Sequence, residues 1–448
     1  MRQSKKTVSI LGGSLGGVIA AAELSKAGVA VTIYEKGSEI GGLYKTVTTP
    51  FGEQELGMHV LYVSLAQLET INEIFPRDDT RILEGVEVDI GGALAGGRVS
   101  WNSHYPSTLL HPQRDEILQQ ILNRSKISTS NSDAEQEVLA RFGSIAGTGV
   151  VLPILERLWM DEAKNLTPES IHCYFDLRRV VACSGDRAME LKKEPQIDAV
   201  LANPDQFKPS GKVFSGRVGV CFDPKGGLLP ERINDWAERR QIKIKYNADI
   251  SLQDGQLTAA GSVLAEDYDA SIVAMSLSAI CDIESDRLDV RQLSIYYLQL
   301  NESIAHGCPA YYILNHDESF HISRLVNYDA YSISNQKTGR RVIAAEVLHR
   351  VGEAPSLEDI ELEVRKIFPT SDVNQSFEVK QKLSILSPSI RNKGHLDQLQ
   401  QRIESNFGGK PVFFTGMRTD AGIFFSHQTI GAAYQAALDC KKRLSRNQ

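Results

Sequence analysis

An α/β fold is expected, with a parallel nucleotide-binding sheet assembled from separated stretches of chain and an antiparallel sheet beside it. Three observations predict it. A β-branched run at residues 7–11 leads into Gly12-Gly13-Ser14-Leu15-Gly16-Gly17 and an Ala- and Leu-rich stretch to residue 27, which reads as strand, tight turn and helix. A second apolar run at 29–34 ends in Glu35, close to the ~20-residue offset at which dinucleotide-binding βαβ units carry an acid. Between 291 and 390 the chain alternates with period two, at 293–300, 311–314, 320–326 and 341–347, as half-buried antiparallel strands do.

Composition narrows the function classes. The 448 residues are 42% hydrophobic and 23% charged, with 49 Lys+Arg against 56 Asp+Glu and a net charge of −7. At roughly 100–200 residues per domain this length implies two or three globular domains. No Lys/Arg run marks a duplex-binding face, so nucleic acid is not an expected partner. The six cysteines are scattered outside any metal-ligand spacing and read as free thiols of a reducing compartment; no metal is expected. The first six residues carry charge and no apolar run approaches the ~18–20 residues that span a bilayer, so a cytoplasmic protein without a transmembrane segment is expected. H-E-x-x-H, G-x-S-x-G and G-x-x-x-x-G-K-[ST] are absent, which sets aside hydrolase and nucleotidase chemistry.

Each residue of the glycine turn has a physical role. Gly12 lets the chain leave the strand sharply, and Gly17 lets the helix pack close to the sheet. Position 14 must be small so that backbone can approach a pyrophosphate; serine stands where the fingerprint G-x-G-x-x-G has glycine. The N–H groups around Gly13, Leu15 and Gly16 open the helix, whose positive end favours a phosphate. Glu35 can accept hydrogen bonds from ribose hydroxyls.

Beyond Glu35 and Lys36 the chain continues through Gly41-Gly42-Leu43 to GEQELGMHVLY at 52–62. This E-x5-G-G arrangement, followed by an acid and L-G-x-H, resembles the FAD-binding start of the flavoprotein group that contains amine oxidases, protoporphyrinogen oxidases, phytoene desaturases and UDP-galactopyranose mutases. FDPKGGLL at 222–229 resembles the P-x-G-G turn of that group, 242–250 the strand that reaches the adenine side, and 268–275 a returning strand. PVFFTG at 411–416 and a helix from 429 to 444 resemble the closing FAD motif, although Met417 and Arg418 follow Gly416 where many members have an acid.

The resemblance implies a Rossmann-like FAD-binding domain from residues 1–62, 211–290 and 391–448, a mainly helical insertion at 63–210 and a substrate-binding sheet at 291–390. It implies non-covalent FAD held by the glycine turn, Glu35, Lys36, Gly41, Gly42, Leu43, Gly57, Met58, His59, Ala248, Ile250, Gly416 and the helix start at Gln428, Thr429 and Ile430. Residues 152–167 resemble the K-x-W-G…L segment of the mutases and protoporphyrinogen oxidases, with Trp159 matching and Met160 in place of glycine.

The candidate catalytic residues are His59 and Arg324. His59 can hydrogen-bond flavin or substrate, or be satisfied by backbone groups at a strand start. Arg324 suits a phosphate or carboxylate. On a regular strand His321 would face away from it. Arg178, Arg179, Arg418 and His427 are further candidates, and Tyr311, Tyr312, Tyr328 and Tyr331 either line a pocket or pack. The expected activity is FAD-dependent hydride transfer from a small organic substrate to flavin N5. The alternatives are mutase-like isomerisation of a sugar nucleotide on reduced FAD, and a non-catalytic member of the fold. Oligomeric state stays open.

Overall fold

The computed structural model describes residues 5–446 apart from 77, 79, 85–89, 124–130, 207–216, 223–227, 282–287, 302–309, 334, 336–340, 370, 380–382, 418 and 421. Arg418, Cys308, most of the P-x-G-G turn and most of the polar segment at 125–132 therefore lie outside the described residues.

The nucleotide-binding sheet has five parallel strands in the order Lys243–Lys245, Ala30–Tyr34, Thr7–Leu11, Ala270–Val273, Val412–Phe414. Its central strands are buried on both faces, as a parallel sheet covered by helices requires: Val8, Ile10, Ile33, Ala270 and Ile272 are wholly enclosed on one face and Leu11, Tyr34 and Val273 on the other. The helix Leu15–Lys26 packs against the long C-terminal helix Ser426–Arg446. They approach closely at Gly16, where an added Cβ would lie 3.3 Å from the Thr429 methyl. Ile19, Ala22, Ala433, Ala437 and Cys440 fill the core around this crossing.

The adenine-side strand is shorter than the 242–250 expectation. It stops at Lys245 because Asn247 adopts a left-handed conformation (φ 49°), and Ile250–Gln253 starts a separate three-stranded meander with Gln256–Ala259 and Ser262–Val263.

The second sheet has eight strands. Tyr312–Asn315, Arg324–Asn327, Val342–His349 and Val290–Leu300 are consecutive antiparallel neighbours, and Val373–Glu378 and Leu383–Leu386 both pair with the long strand Val290–Leu300. The strand expected over 320–326 runs only over Arg324–Asn327.

The insertion at 63–210 carries more helix than strand, with strands among the helices. It carries the expected helices at Leu65–Ile74, Arg114–Asn123 and Ala134–Ala146, but Gly91–Ala95 and Arg98–Ser100 extend the eight-stranded sheet. Thr80–Leu83 and Leu61–Ser64 flank Arg217–Phe222 in a further antiparallel sheet. Glycine-rich GGALA gives no strand signal in sequence. It is a strand because the Tyr312 ring lies over Gly91, where a Cβ would come within 2.6 Å of it.

Ala134–Trp159 is, among the described residues, one helical stretch long and apolar enough to cross a membrane by length and composition alone, a test that a buried core helix also passes. Its apolar residues Val138, Phe142, Ala146, Val151, Leu155 and Trp159 are buried in the main core. Trp159 ends the helix, and Met160 caps it in a left-handed conformation (φ 52°), the geometry that explains glycine in related patterns at this point. Cys173, Cys183, Cys221, Cys281 and Cys440 are buried and form no disulfide among the described residues.

Candidate functional site

The glycine turn is built by close approach. Gly12 has φ +102° and sits against the Ala274–Met275 backbone, so that a Cβ would lie 2.8 Å from Met275 Cβ. At Gly17 a Cβ would lie 2.2 Å from the Gly12 carbonyl oxygen. Ser14 has φ −64°, which needs no glycine, and its hydroxyl donates to the Ala274 carbonyl at 3.0 Å. That bond accounts for serine at the fingerprint position: its Oγ has a partner on the neighbouring strand end.

Gly41-Gly42 folds back onto this turn, with Gly41 N–H donating to Gly13 O at 2.8 Å. Glu35 closes the same corner. Its Oε2 accepts from Gly13 N–H and its Oε1 from Gly37 N–H, each at 2.7 Å.

These pieces wall one end of a cavity of ≈ 350 Å³. Gly12, Ser14, Leu15, Gly16, Glu35, Gly41, Gly42 and Leu43 line that end. Gly57, Met58, His59, Gly416 and Thr429 line its middle, and Leu293, Ile295, Leu383, Arg324 and Glu346 of the eight-stranded sheet close the far end. The amino-terminal turn, the glycine doublet and the carboxy-terminal segment thus meet around one space.

Several expected contacts turn elsewhere. Gly13 and Gly17 shape the turn without lining the cavity, and Lys36 is exposed to solvent. Ala248 and Ile250 are buried in a separate apolar cluster, because the chain has already left the parallel sheet at Asn247. Ile430 lies in the core beneath the sheet. The N–H groups of Gln428 and Thr429 are bonded to Phe425 O, at 3.0 Å each, because the helix starts earlier than expected, at Ser426. The Gln428 side chain instead accepts from Phe424 and Phe425 N–H and fixes the turn into the helix.

His59 is buried and its ring is held from both sides. Nε2 lies 3.0 Å from Leu56 O, and the ring packs on Tyr44 with centroids 4.9 Å apart. Burial pushes its pKa down to about 4, against the opposing pull of the Leu56 and Leu43 carbonyls, so the imidazole is neutral at pH 7. The unfolded chain, with an ordinary histidine, takes up a proton near pH 6.5 that the folded chain refuses until about 4. Stability from this group is therefore full above pH 6.5 and lost as pH falls through that window. His59→Gln is expected to remove about 2 kcal/mol of the stability loss between pH 7 and pH 5, read as urea-unfolding free energies. An unchanged slope would contradict this.

At the far end, Glu346 is wholly buried and was not identified from sequence. Its Oε2 accepts from Arg324 Nε at 2.9 Å, Arg324 Nη2 at 2.7 Å and the Tyr174 hydroxyl at 2.9 Å. Arg324 also lies over the Tyr174 ring at 5.0 Å. Burial opposes the Arg324 charge, but the Glu346 carboxylate more than offsets this and raises its pKa. Glu346 Oε1 has no hydrogen-bond partner among the described residues, and Gly57 leaves room beside it: a Cβ there would come within 3.2 Å. A buried carboxylate oxygen without a donor is costly, which marks it as a receptor for a ligand N–H or O–H. The only signal in sequence was an acid in an otherwise apolar strand, VIAAEVLH.

A second cavity of ≈ 180 Å³ adjoins the first and shares Met58 and Arg324 with it. Tyr62, His104, Tyr105, Tyr174, Tyr312 and His427 supply its aromatic walls, and Arg178, Arg179 and Asp176 its charge. Arg178 grips Asp176 with two bonds of 2.8 and 2.7 Å, and Arg179 Nε donates to Asp198 O at 2.7 Å. Of the four tyrosines singled out in sequence, Tyr312 faces this cavity. Tyr328 and Tyr331 are core residues whose hydroxyls reach Gly57 O and Glu55 Oε2, each at 2.8 Å, and Tyr311 packs against Tyr331. His321 is outside both cavities, bonded to Glu363 at 2.7 Å.

A family model for an NAD(P)-binding Rossmann-like domain matches residues 10–75. Among solved structures, the chain resembles a reduced UDP-galactopyranose mutase (13% identity, TM-score 0.66, 98% of this chain and 96% of that one). It also resembles an Exiguobacterium sp. 255-15 protein assigned as a protoporphyrinogen oxidase (14% identity, TM-score 0.65, all of both chains). This is the amine oxidase-like fold. A putrescine oxidase bound to putrescine shares it too (13% identity, TM-score 0.55, 98% of this chain and 99% of that one). A comparison with curated protein sequences finds no match. In the amine oxidase-like fold of this chain, the parallel sheet supplies one end of the central cavity and the eight-stranded sheet the other.

Proposed function

We propose that the chain binds FAD non-covalently and is an oxidoreductase that passes hydride from a small organic substrate to flavin N5. The observation that carries this reading is the single cavity running from Gly12 and Glu35 to Arg324 and Glu346. Its glycine-turn end suits an adenosine diphosphate: a helix N-terminus for the phosphates and a carboxylate for the ribose. The residues fit the cofactor in a second respect. Gly41 and Gly42, both at positive φ (110° and 65°), bring backbone without side chains to the cavity wall beside Ser14. We assign residues 1–62, 211–290 and 391–448 to FAD binding and 291–390, with the strands at 91–100, to the substrate side.

Bound flavin supplies the two-electron redox chemistry. The chain's own residues shape the space around it. Leu293, Ile295, Leu383, Ile385 and Phe424 form an apolar wall that excludes water, and Glu346 Oε1 accepts a hydrogen bond from substrate. His59, neutral and tied to Leu56 O, is a positioning residue rather than a proton donor. The second cavity receives the rest of the substrate. All three of its arginines face carboxylates, Arg178 with Asp176 at 2.7 Å, Arg324 with Glu346 at 2.7 Å and Arg179 with Asp198 at 4.0 Å, which favours a neutral or singly anionic molecule.

The purified protein is expected to be yellow, to release FAD on denaturation, and to bleach anaerobically with one member of a panel of amines, alcohols and cyclic polyamines. Colourless protein that takes up no added FAD would end this reading. A mutase-like reading is favoured by one observation, the gathering of Arg178, Arg179 and Arg324 at one cavity, which could serve a sugar-nucleotide diphosphate. It requires activity on a UDP-sugar that appears only after dithionite reduction and leaves the flavin reduced.

A further inference from the structure

A third pocket, of ≈ 250 Å³, has no lining residue in common with the two cavities described above. One wall is the helix Ile390–Ser405, where Lys393, Leu396, Asp397 and Gln400 follow one another at the i, i+3, i+4 and i+7 spacing of a single face. The other wall combines the turn at Thr167 and Glu169 with Asp420 and Ile423. Thr167 is pinned by its backbone: its N–H donates to Pro388 O at 2.8 Å, and its carbonyl accepts from Ser170 N–H at 3.0 Å. The residue is 2% exposed, yet its hydroxyl has no hydrogen-bond partner among the described residues. A buried hydroxyl left unpaired is costly, and one carried by a pocket wall points to an occupant that pairs with it.

The charges of the pocket name the class of occupant. Lys393 Nζ lies 3.9 Å from Glu169 Oε1, so these two offset each other. Asp397 and Asp420 are exposed at the rim and form no ion pair among the described residues. Asp420 Oδ1 accepts from Gly422 N–H at 2.8 Å, which fixes the carboxylate and leaves its charge uncompensated. Leu396 and Ile423 supply apolar surface beside these acids. A metal ion does not meet this arrangement: among the described residues no three acids, histidines or cysteines stand close enough to share one. The negative charge is spread along the pocket, so its complement is an extended cation with an apolar body.

We infer that this pocket binds a small organic dication, two ammonium groups joined by a short alkyl chain. One ammonium meets Asp397, the other Asp420, and the chain rests on Leu396 and Ile423. The Thr167 hydroxyl accepts an N–H of the same molecule. The site is distinct from the central cavity and does not depend on flavin.

The test titrates the full chain as purified with cadaverine, followed by calorimetry. Saturable binding is expected, and it should weaken as salt is raised, because the rim carboxylates are screened. Pentylamine should bind about tenfold more weakly than cadaverine, and pentanediol should give no heat. Asp397→Asn and Asp420→Asn should each weaken cadaverine binding about tenfold, the loss of one charge-assisted contact. Thr167→Val should weaken it about fivefold while the melting temperature of the free protein stays the same or rises, because valine removes the unpaired hydroxyl. A threonine of purely structural importance would do the reverse, lowering the melting temperature and leaving affinity alone. No saturable binding, unchanged affinity in any of the three variants, or magnesium binding more tightly than cadaverine would overturn the proposal. A crystal structure with the probe is the second readout: density between Asp397 and Asp420 is expected, and an empty pocket at saturating cadaverine would equally overturn it.

Discussion

Gly17→Ala is expected to destabilise the protein by about 3 kcal/mol and to weaken FAD binding by about a hundredfold. The added methyl would sit 2.2 Å from the Gly12 carbonyl oxygen, a backbone atom that cannot rotate away. Relief requires the helix Leu15–Lys26 to move off the sheet or the Gly12 turn to open. Either movement displaces the N–H groups that face the proposed pyrophosphate, so stability and cofactor affinity should fall together. Urea unfolding and flavin titration measure the two effects. Ser14→Gly is the control: it removes one hydrogen bond to Ala274 O and should cost only about 1 kcal/mol. If Gly17→Ala proved as mild as Ser14→Gly, the close helix-to-turn packing would be wrong.

The second large effect is expected at the floor of the cavity. Glu346→Ala leaves the Arg324 guanidinium buried without its carboxylate and deprives the Tyr174 hydroxyl of its acceptor. Stranding one charge of a buried pair costs about 3–5 kcal/mol. Removing both charges in Arg324→Met/Glu346→Leu should cost far less, because two apolar side chains can fill the space that the pair occupied. A double variant no more stable than Glu346→Ala would contradict this account of the pair. Both proteins should lose turnover even where they fold, since neither retains the unbonded carboxylate oxygen beside Gly57.

The βαβ start was legible in the sequence because its signals are local. A strand, a glycine bend, a helix and Glu35 follow one another within 30 residues, and each restricts its neighbours sterically or by hydrogen bonding. The strands at 293–300 and 341–347 were legible as apolar runs, but not as half-buried ones: Val342–His349 is buried at every residue and Val290–Leu300 at most, because both faces of the sheet are covered. The strand Gly91–Ala95 was not, because its glycines have no intrinsic strand preference and are held by the Tyr312 ring of a distant segment. Asn247 likewise ended the adenine-side strand at a residue whose left-handed conformation has no periodic signature.

Residue roles divide along the same line. The glycines and Glu35 act through backbone geometry that a short segment fixes on its own. Whether His59 is charged depends on Tyr44, Leu56 and the burial around them, and the spacing L-G-x-H does not carry that information. Arg324 could be singled out as a cation on a strand, but its partner lies 22 residues away on the next strand, where register alone brings Glu346 opposite it.

By itself, then, the sequence determined a dinucleotide-type turn, an antiparallel sheet and an acidic chain without metal-ligand spacings, because these follow from short-range sterics, periodicity and composition. The tertiary structure alone decided that the two sheets enclose one cavity and that a buried carboxylate closes its far end. Those features come from side chains brought together across hundreds of residues, where desolvation and close packing act between segments that do not constrain one another along the chain.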